Sequence, residues 1–114
     1  MLPTLKNGDI VCIKKYKLDL NHNDIIVIRK NNKIIIKRLI GMPNDSIKID
    51  NYVYVNGKKI DDLYIENVGN INNEVHLKSN EYFVLGDNRE NSIDSRFDEV
   101  GIILENEIIG EIIK

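Results

Sequence analysis

The sequence predicts an all-β domain, a barrel-like or complex β fold of antiparallel sheets with short hairpins and little helix. Short runs of β-branched residues such as Ile25–Ile28 and Ile34–Ile36 recur along the chain. Turn signals separate these runs at intervals of about eight to twelve residues, which is typical of barrels and sandwiches. No run has the apolar period of a helix longer than one turn. At 114 residues the chain is expected to form one domain, residues 1–114, around one core.

We expect three strands before the turn that contains Pro43. Ile10–Lys15 is mostly β-branched and reads as the first strand. Asp24–Arg29 and Ile34–Ile40 are joined by Lys30–Lys33, where two asparagines tolerate the left-handed backbone of a tight turn. The last two strands therefore form a β-hairpin, and Gly41–Ser46 is the turn that follows it.

The second half of the chain predicts further short strands. Asn56-Gly57 is a strong hairpin signal, and Asp61–Lys78 has no period that indicates a helix or a strand. The predicted strands are Ile47–Asp50, Tyr52–Val55, Lys58–Ile60, Asn80–Leu85, Ile102–Leu104 and Ile108–Ile113.

Composition excludes several classes of protein. Hydrophobic residues make up 42% and charged residues 30%, and the net charge of −2 is too small to indicate a nucleic-acid partner. No apolar run approaches the roughly 18 to 20 residues that cross a bilayer as a helix. The single cysteine, Cys12, excludes an intrachain disulfide and is expected to be a small strand hydrophobe. His22 and His76 lack the spacing of metal ligands, so we expect surface positions for both and no metal or cofactor.

The most unusual stretch is Gly86–Arg96, a dense polar segment that follows an apolar strand. Its charges alternate in sign, so salt bridges can form within the segment, and its Asn and Ser side chains can bond the local backbone. The alternating charges are Asp87, Arg89, Asp94 and Arg96. A rigid polar loop beside a strand is a common location for a functional site, although a well-capped turn has the same composition.

A second candidate is Lys37, which follows three isoleucines. Strand alternation places Lys37 on one face with Ile35 and Leu39, and Arg38 on the other face with Ile36 and Ile40. One of the two cations must therefore lie among apolar side chains. Burial lowers the pKa of a lysine and can produce a neutral amine base, whereas arginine stays charged. The alternative is that both side chains extend to solvent from an edge strand.

A buried amine needs hydrogen-bond partners and, as a general base, a hydroxyl nucleophile to deprotonate. Partners for Lys37 could come from Asn88, Asn91, Ser92 or Ser95 of the polar loop. None of the serines of the chain has the position of an obvious substrate-facing nucleophile; these are Ser46, Ser79, Ser92 and Ser95.

Taken in order, these stretches resemble the type I signal peptidases, membrane-bound Ser/Lys endopeptidases that remove leader peptides from exported proteins. Met1–Leu5 is similar to the segment that directly follows the family's nucleophilic serine, and Gly8–Val11 to the next block. Lys37–Asp45 is similar to the lysine block. Gly86–Arg96 matches the pattern Gly-Asp-Asn-Arg-x-x-Ser-x-Asp-Ser-Arg at every defined position. The resemblance spans nearly the whole chain.

The resemblance implies roles for individual residues. Lys37 matches the general base, and Ser92 matches the serine that hydrogen-bonds and orients it. The remaining residues of the last block would support the site: Asp87, Asn88, Arg89, Asp94, Ser95 and Arg96. Shallow apolar pockets for small side chains are expected from Met1, Leu5, Ile35, Ile36 and Ile93.

The resemblance also implies the substrate and the cellular location. An extended leader peptide of an exported preprotein, of the Ala-x-Ala type, would bind as an added strand through backbone hydrogen bonds. Family members are anchored in a bacterial cell membrane by a single span, with the catalytic domain on the extracytoplasmic face. No cofactor and no nucleic acid are expected.

The chain departs from the family pattern at two positions. The nucleophilic serine is expected immediately before Met1, so we expect this chain to be a soluble piece of a longer protein, without the membrane anchor and unable to cleave leaders as it stands. The glycine that usually follows the proline of the lysine block is Asn44 here. Asparagine is the next-best residue for left-handed backbone, so the turn is expected to survive.

Three other functions are compatible with parts of this pattern. A signal-peptidase-like protein without its nucleophile could act as a non-catalytic assembly factor for surface-fibre (pilus) subunits, and an enzyme could be devoted to such subunits. The retained Lys37 argues for the enzyme. A self-cleaving repressor-type domain uses the same Ser/Lys chemistry, but the Gly86–Arg96 block argues against it.

Overall fold

The computed structural model describes residues 12–15, 18–66, 69 and 74–113. These residues form ten strands and two short 3-10 turns, at Arg89–Asn91 and Glu105–Glu107. The strands are β1 (Cys12–Lys14), β2 (Ile25–Lys30), β3 (Lys33–Gly41), β4 (Ser46–Ile49), β5 (Val53–Val55), β6 (Lys58–Lys59), β7 (Glu74–His76), β8 (Glu81–Leu85), β9 (Ile103–Leu104) and β10 (Ile108–Ile113).

The strands build two antiparallel sheets. The larger sheet has the order β1-β10-β2-β3-β8-β9, and the smaller has the order β6-β5-β4-β7. All eight strand pairs are antiparallel, and β3 is the long central strand of the larger sheet. The predicted all-β fold class is therefore confirmed.

The hairpin turns form where asparagine was expected to permit them. Asn31 and Asn32 have φ of 53° and 62° between β2 and β3, and Asn56 and Gly57 have φ of 52° and 85° between β5 and β6. Such paired left-handed residues match the twist of a two-residue hairpin. Asn44 has φ of 72°, which confirms that the turn after β3 survives without the family's glycine.

One strand was missed by the sequence reasoning. Within Asp61–Lys78, which has no clear pattern, Glu74–His76 pairs with β4 as β7. The three residues are Glu, Val and His, of which only Val75 carries a strand preference, so the pairing comes from tertiary context. Of the predicted first strand, Ile10–Lys15, only the part from Cys12 onward lies within the described residues, and it forms β1.

The larger sheet is covered by apolar clusters on both faces around β3 and β8. Leu39 and Val84 are opposite each other in the register and belong to one cluster, with Ile26 and Ile28 of β2. Their chain neighbours point to the other face, into a cluster shared with the smaller sheet, which includes Ile40, Ile47, Ile49, Val53, Ile65, Phe83 and Leu85. The carboxyl end of β3 is therefore buried from both sides, which fixes the direction of every side chain on it.

Candidate active site

The alternation of β3 places Lys37 on the face that carries Ile35 and Leu39. Lys37 is opposite Ile26 of β2, which is fully buried, and Leu39 is fully buried beside it. Lys37 itself is half-buried. The predicted apolar neighbourhood of one cation on this strand is therefore found at Lys37, and the alternative in which both cations extend freely to solvent is wrong.

The Lys37 ammonium meets the polar loop at Ser92. Lys37 Nζ donates a hydrogen bond to Ser92 Oγ at 2.9 Å, and Ser92 is buried. Burial lowers the pKa of Lys37 below its ordinary value; the carboxylate of Asp94 opposes this shift and the guanidinium of Arg96 adds to it. A lysine in this environment exists as the neutral amine at a lower pH than a lysine in water, which is the property that a general base needs.

Gly86 makes the contact between lysine and serine sterically possible. A Cβ atom built on Gly86 would overlap Ser92 Oγ and lie 3.6 Å from Lys37 Nζ. Gly86 follows β8 directly, so a residue without a side chain lies where Lys37 and Ser92 meet. The glycine is therefore required here for close approach.

A fully buried ion pair holds the loop behind Ser92. Asp94 and Arg96 both have no exposed surface, and Arg96 Nε donates to Asp94 Oδ1 at 2.8 Å. Asp94 Oδ2 also accepts the backbone N–H of Gly86 at 2.9 Å. Arg96 Nη2 donates to the carbonyls of Arg89 at 2.6 Å and of Ser92 at 3.3 Å. The pair thus fixes both Gly86 and the backbone that carries Ser92.

Two of the four alternating charges form ion pairs with residues outside the loop. Asp87 pairs with Arg38 of β3, at 3.1 Å to Nε and 2.7 Å to Nη2. Arg89 pairs with Asp61, at 3.2 Å from Nη2 to Oδ2. Both carboxylate–guanidinium pairs join the loop to distant parts of the chain, and sequence proximity alone did not indicate them.

The other support residues predicted from the loop differ in their contacts. Ser95 Oγ accepts the backbone N–H of Val84, and its own N–H donates to the Val84 carbonyl, so Ser95 ties the loop to β8. Asn88 is exposed, and its side chain makes no capping bond to the 3-10 turn that follows it. Its carbonyl accepts the N–H of Asn91 at 3.1 Å.

The residues predicted to line substrate pockets lie in three different environments. Ile93, next to Ser92, is 49% exposed. Ile36 is half-buried on β3, and Ile35 is half-buried against the cluster of Ile26 and Leu39. Met1 and Leu5 lie outside the described residues.

Three features of the site were not singled out from the sequence. The pairing of Arg38 with Asp87, the pairing of Asp61 with Arg89, and the bond from the Glu66 N–H to Glu90 Oε1 at 2.9 Å all join segments far apart in the chain. For Asp61 in particular no sequence signal was available, because it lies in the stretch without a pattern.

The two histidines form hydrogen bonds with residues of the turn after β3 and of β4. Both histidines are exposed, as predicted, and His22 Nε2 donates to Asp45 Oδ2 at 2.7 Å in the turn after β3. Cys12 begins β1.

Comparison with known proteins places this chain in a family. A family model described as signal peptidase, peptidase S26, matches residues 1–113. The chain is 38% identical to signal peptidase I U and 33% identical to signal peptidase I S of Bacillus subtilis (strain 168). Each alignment covers 96% of this chain and 67% or 68% of the relative, so the chain spans about two thirds of their length.

A solved structure is also similar. The crystal structure of a signal peptidase I from Enterococcus faecalis V583 superposes with a TM-score of 0.64 at 28% identity, covering 82% of this chain and 97% of that chain. Among the helices formed by the described residues, none has the length and apolar character that crossing a membrane requires. The family match over nearly the whole chain and the similar fold lead to one conclusion: the chain belongs to the signal peptidase family, peptidase S26, as a serine endopeptidase of the signal peptidase I type.

Proposed function

We propose that Lys37 is the general base of a Ser/Lys dyad that cleaves Ala-x-Ala leader peptides from exported preproteins. The observation that carries this proposal is the hydrogen bond of 2.9 Å between Lys37 Nζ and Ser92 Oγ on a half-buried strand face. Burial lowers the pKa of this amine, so a larger fraction of it is neutral and able to take a proton at a given pH than for a lysine in water. Ser92 is buried and bonded to the lysine, so its role is to orient the amine.

The reaction follows from the chemistry of a neutral amine beside a hydroxyl nucleophile. The Lys37 amine removes the proton of the nucleophilic serine, whose oxygen attacks the carbonyl of the scissile peptide bond. The resulting ammonium gives the proton to the leaving amine of the mature protein, and the leader remains as an ester of the serine. A water molecule, deprotonated by the same amine, then hydrolyses the ester. The resemblance assigns the serine to the position directly before Met1.

We further propose that the leader binds as an added strand along β3. β2 pairs with β3 from Lys33 to Arg38, whereas β8 begins to pair only at Arg38. At Ile34–Ile36, one edge of β3 therefore has no strand partner among the residues that the structure describes. Backbone groups on such an edge can bind an extended peptide of almost any sequence. Ile36 and the exposed Ile93 would contact its small side chains, together with Met1, Leu5 and Ile35.

The cellular setting of this activity is part of the proposal. Leader peptides become available to a protease on the extracytoplasmic face of the bacterial cell membrane, so we place the catalytic domain there. The intact contact of Lys37 with Ser92 favours an enzyme, and no observation favours a non-catalytic role in pilus assembly. We therefore propose the processing of leaders from exported proteins, without restriction to surface-fibre subunits.

The test of the dyad uses the chain with a serine placed directly before Met1 and a synthetic Ala-x-Ala leader peptide. Replacing Lys37→Ala removes the base, so kcat/KM is expected to fall by at least about 10² to 10⁴-fold. The matched control is Lys48→Ala, which removes an exposed lysine from β4 of the smaller sheet and should leave kcat/KM within about twofold. Mass spectrometry of the products reports the cleaved bond.

Either of two results would contradict the proposal. Full activity in the Lys37→Ala protein would show that another group is the base. Equal losses for Lys37→Ala and Lys48→Ala would show a general effect on the fold and not a catalytic role.

A further inference from the structure

Arg89 is a buried cation that connects the polar loop to the rest of the domain. Its side chain is 6% exposed, and its Nε donates to the carbonyl of Gly86 at 2.9 Å. Its own carbonyl accepts the bond from Arg96 Nη2 at 2.6 Å. Arg89 therefore joins the beginning of the loop to its end, and the position of its guanidinium sets the position of the Gly86 carbonyl.

The charge that compensates this guanidinium comes from outside the loop. Arg89 Nη2 donates to Asp61 Oδ2 at 3.2 Å, while Arg89 Nη1 is buried without a hydrogen-bond partner among the described residues. A buried guanidinium that lacks part of its hydrogen bonds depends strongly on the carboxylate that remains. Asp61 is that carboxylate, and its side chain is 29% exposed.

Asp61 is held in place by the segment that carries it, Ile60–Glu66. At one end the Ile60 N–H donates to the Val53 carbonyl at 3.0 Å. At the other end Ile65 is fully buried, and its N–H donates to the Asn51 carbonyl at 2.8 Å. This segment, which we call the strap, is thus fixed to the smaller sheet on both sides of Asp61.

A second bond connects the strap to the loop. The Glu66 N–H donates to Glu90 Oε1 at 2.9 Å, one residue after Arg89. The strap therefore contacts the 3-10 turn of the loop at two successive residues. The smaller sheet, which contributes no residue to the dyad, can control the position of the loop through these two contacts.

The connection from Arg89 to the dyad runs through Gly86. Asp94 Oδ2 accepts the Gly86 N–H, and Arg89 Nε donates to the Gly86 carbonyl. Both peptide groups that flank this glycine are therefore fixed. The space that a Cβ of Gly86 would fill is occupied by Ser92 Oγ, with Lys37 Nζ 3.6 Å away. A small movement of Gly86 would therefore change the distance between the serine hydroxyl and the amine.

We propose that Asp61 is a positioning residue of the active site, which orients Arg89 and through it keeps Gly86, Ser92 and Lys37 in their catalytic arrangement. This inference rests on the proposed function of Lys37. The role belongs to Asp61 and not to its neighbour Asp62, whose side chain is 90% exposed and pairs with Lys59 at 2.9 Å. The strap is thus the part of the smaller sheet that supports catalysis.

The test compares Asp61→Asn with Asp62→Asn in the chain that carries a serine before Met1. Asparagine keeps an oxygen that can accept the Leu63 N–H, which Asp61 Oδ1 accepts at 3.0 Å, so the local turn is preserved while the charge is removed. Asp61→Asn is expected to lower kcat about tenfold to a hundredfold with KM changed less than about twofold. Asp62→Asn should leave both parameters unchanged within about twofold.

The pH profile separates positioning from a loss of folded protein. Burial is the first cause of the lowered pKa of Lys37, so a loosened loop that admits water should move the acidic limb of the kcat profile to higher pH. A smaller fraction of folded enzyme would lower kcat and leave the limb in place. If Asp61→Asn does not fold, Asp61→Glu retains the charge with a longer side chain and is expected to lower kcat less, with the same direction of shift.

Two sets of results would overturn the role of Asp61. Equal kcat and equal acidic limbs for Asp61→Asn and Asp62→Asn, or for Asp61→Glu and the parent, would overturn the role of Asp61. The Lys37→Ala protein is measured alongside: if it keeps its activity, the dyad is wrong, whereas its inactivity combined with a normal Asp61→Asn protein contradicts only the inference on Asp61.

Discussion

Two carboxylates of this domain each collect several hydrogen bonds, but in opposite surroundings. Asp94 is fully buried and accepts bonds from Gly86 and from the side chain of Arg96, which is also fully buried. Asp45 is half-buried in the turn after β3 and accepts bonds from His22 at 2.7 Å, from the Met42 N–H at 2.9 Å and from Asn56 at 3.0 Å.

The difference lies in what remains when one partner is removed. The Arg96 guanidinium cannot reach water, so a charge left behind there would be uncompensated. The partners of Asp45 are near solvent, and water can replace a lost bond. The same carboxylate chemistry therefore fixes the catalytic loop rigidly at Asp94 and only stabilises a turn at Asp45.

The largest effect is expected from Asp94→Asn. The substitution keeps the shape of the side chain but leaves the buried Arg96 guanidinium without a counter-charge, and the free energy of unfolding should fall by about 3–5 kcal/mol. Urea denaturation measures the change. The control is Asp62→Asn, in an exposed pair, for which a change within about 0.5 kcal/mol is expected. If Asp94→Asn lowers the free energy of unfolding by less than about 1 kcal/mol, the buried Asp94 is no more important for stability than the solvent-near Asp45.

Gly86→Ala should have a smaller effect on stability and a clear effect on activity. The new methyl group would overlap Ser92 Oγ, and such overpacking typically costs about 1–3 kcal/mol. Because the displaced hydroxyl orients Lys37, kcat should fall about tenfold or more in the serine-carrying chain. Gly57→Ala is the control, since nothing lies within 4 Å of its Cβ position although its φ of +85° is strained. It should lose stability with unchanged kcat, and equal kcat values for the two variants would contradict the role of Gly86.

The smallest effect is expected from Asp45→Asn, at no more than about 1 kcal/mol near neutral pH because the site is near solvent. Burial opposes ionisation of Asp45, but the hydrogen bonds from His22, Met42 and Asn56 outweigh it and lower the pKa of this carboxyl. Its stabilising contribution is therefore complete above about pH 4 and is lost as pH falls through the lowered pKa.

The test of this prediction is the difference in unfolding free energy between the parent and Asp45→Asn as a function of pH. The difference should shrink as the solution is acidified below about pH 4. A difference that grows on acidification would show that the sign is wrong.

Local features of the fold were predictable because they depend on neighbouring residues. The hairpin of β2 and β3 follows from two apolar runs and an Asn-Asn turn, and the left-handed Asn44 follows from the tolerance of asparagine for this backbone. Alternation along β3 predicted that either Lys37 or Arg38 would be surrounded by apolar side chains. Alternation could not decide between the two cations, because their surroundings depend on how the distant Gly86–Arg96 loop packs against β3.

The long-range contacts of the site could not be predicted in the same way. Arg38 pairs with Asp87 and Arg89 pairs with Asp61, across 49 and 28 positions of the chain. Charge alternation within Gly86–Arg96 indicated that local pairs could form, and Asp94 with Arg96 is such a pair. The choice of Lys37 and Ser92 as the central pair came from the resemblance to the family and not from spacing.

Lys37 is expected to act as a neutral amine because the loop buries it against Ser92. The most direct measurement is the pH dependence of kcat/KM for the serine-carrying chain, which reports the pKa of the base in the free enzyme. We expect an acidic limb below the ordinary lysine pKa of about 10.4, shifted by Ser92→Ala and unmoved by Lys48→Ala. An acidic limb near the ordinary lysine value, or one that Ser92→Ala leaves in place, would contradict it.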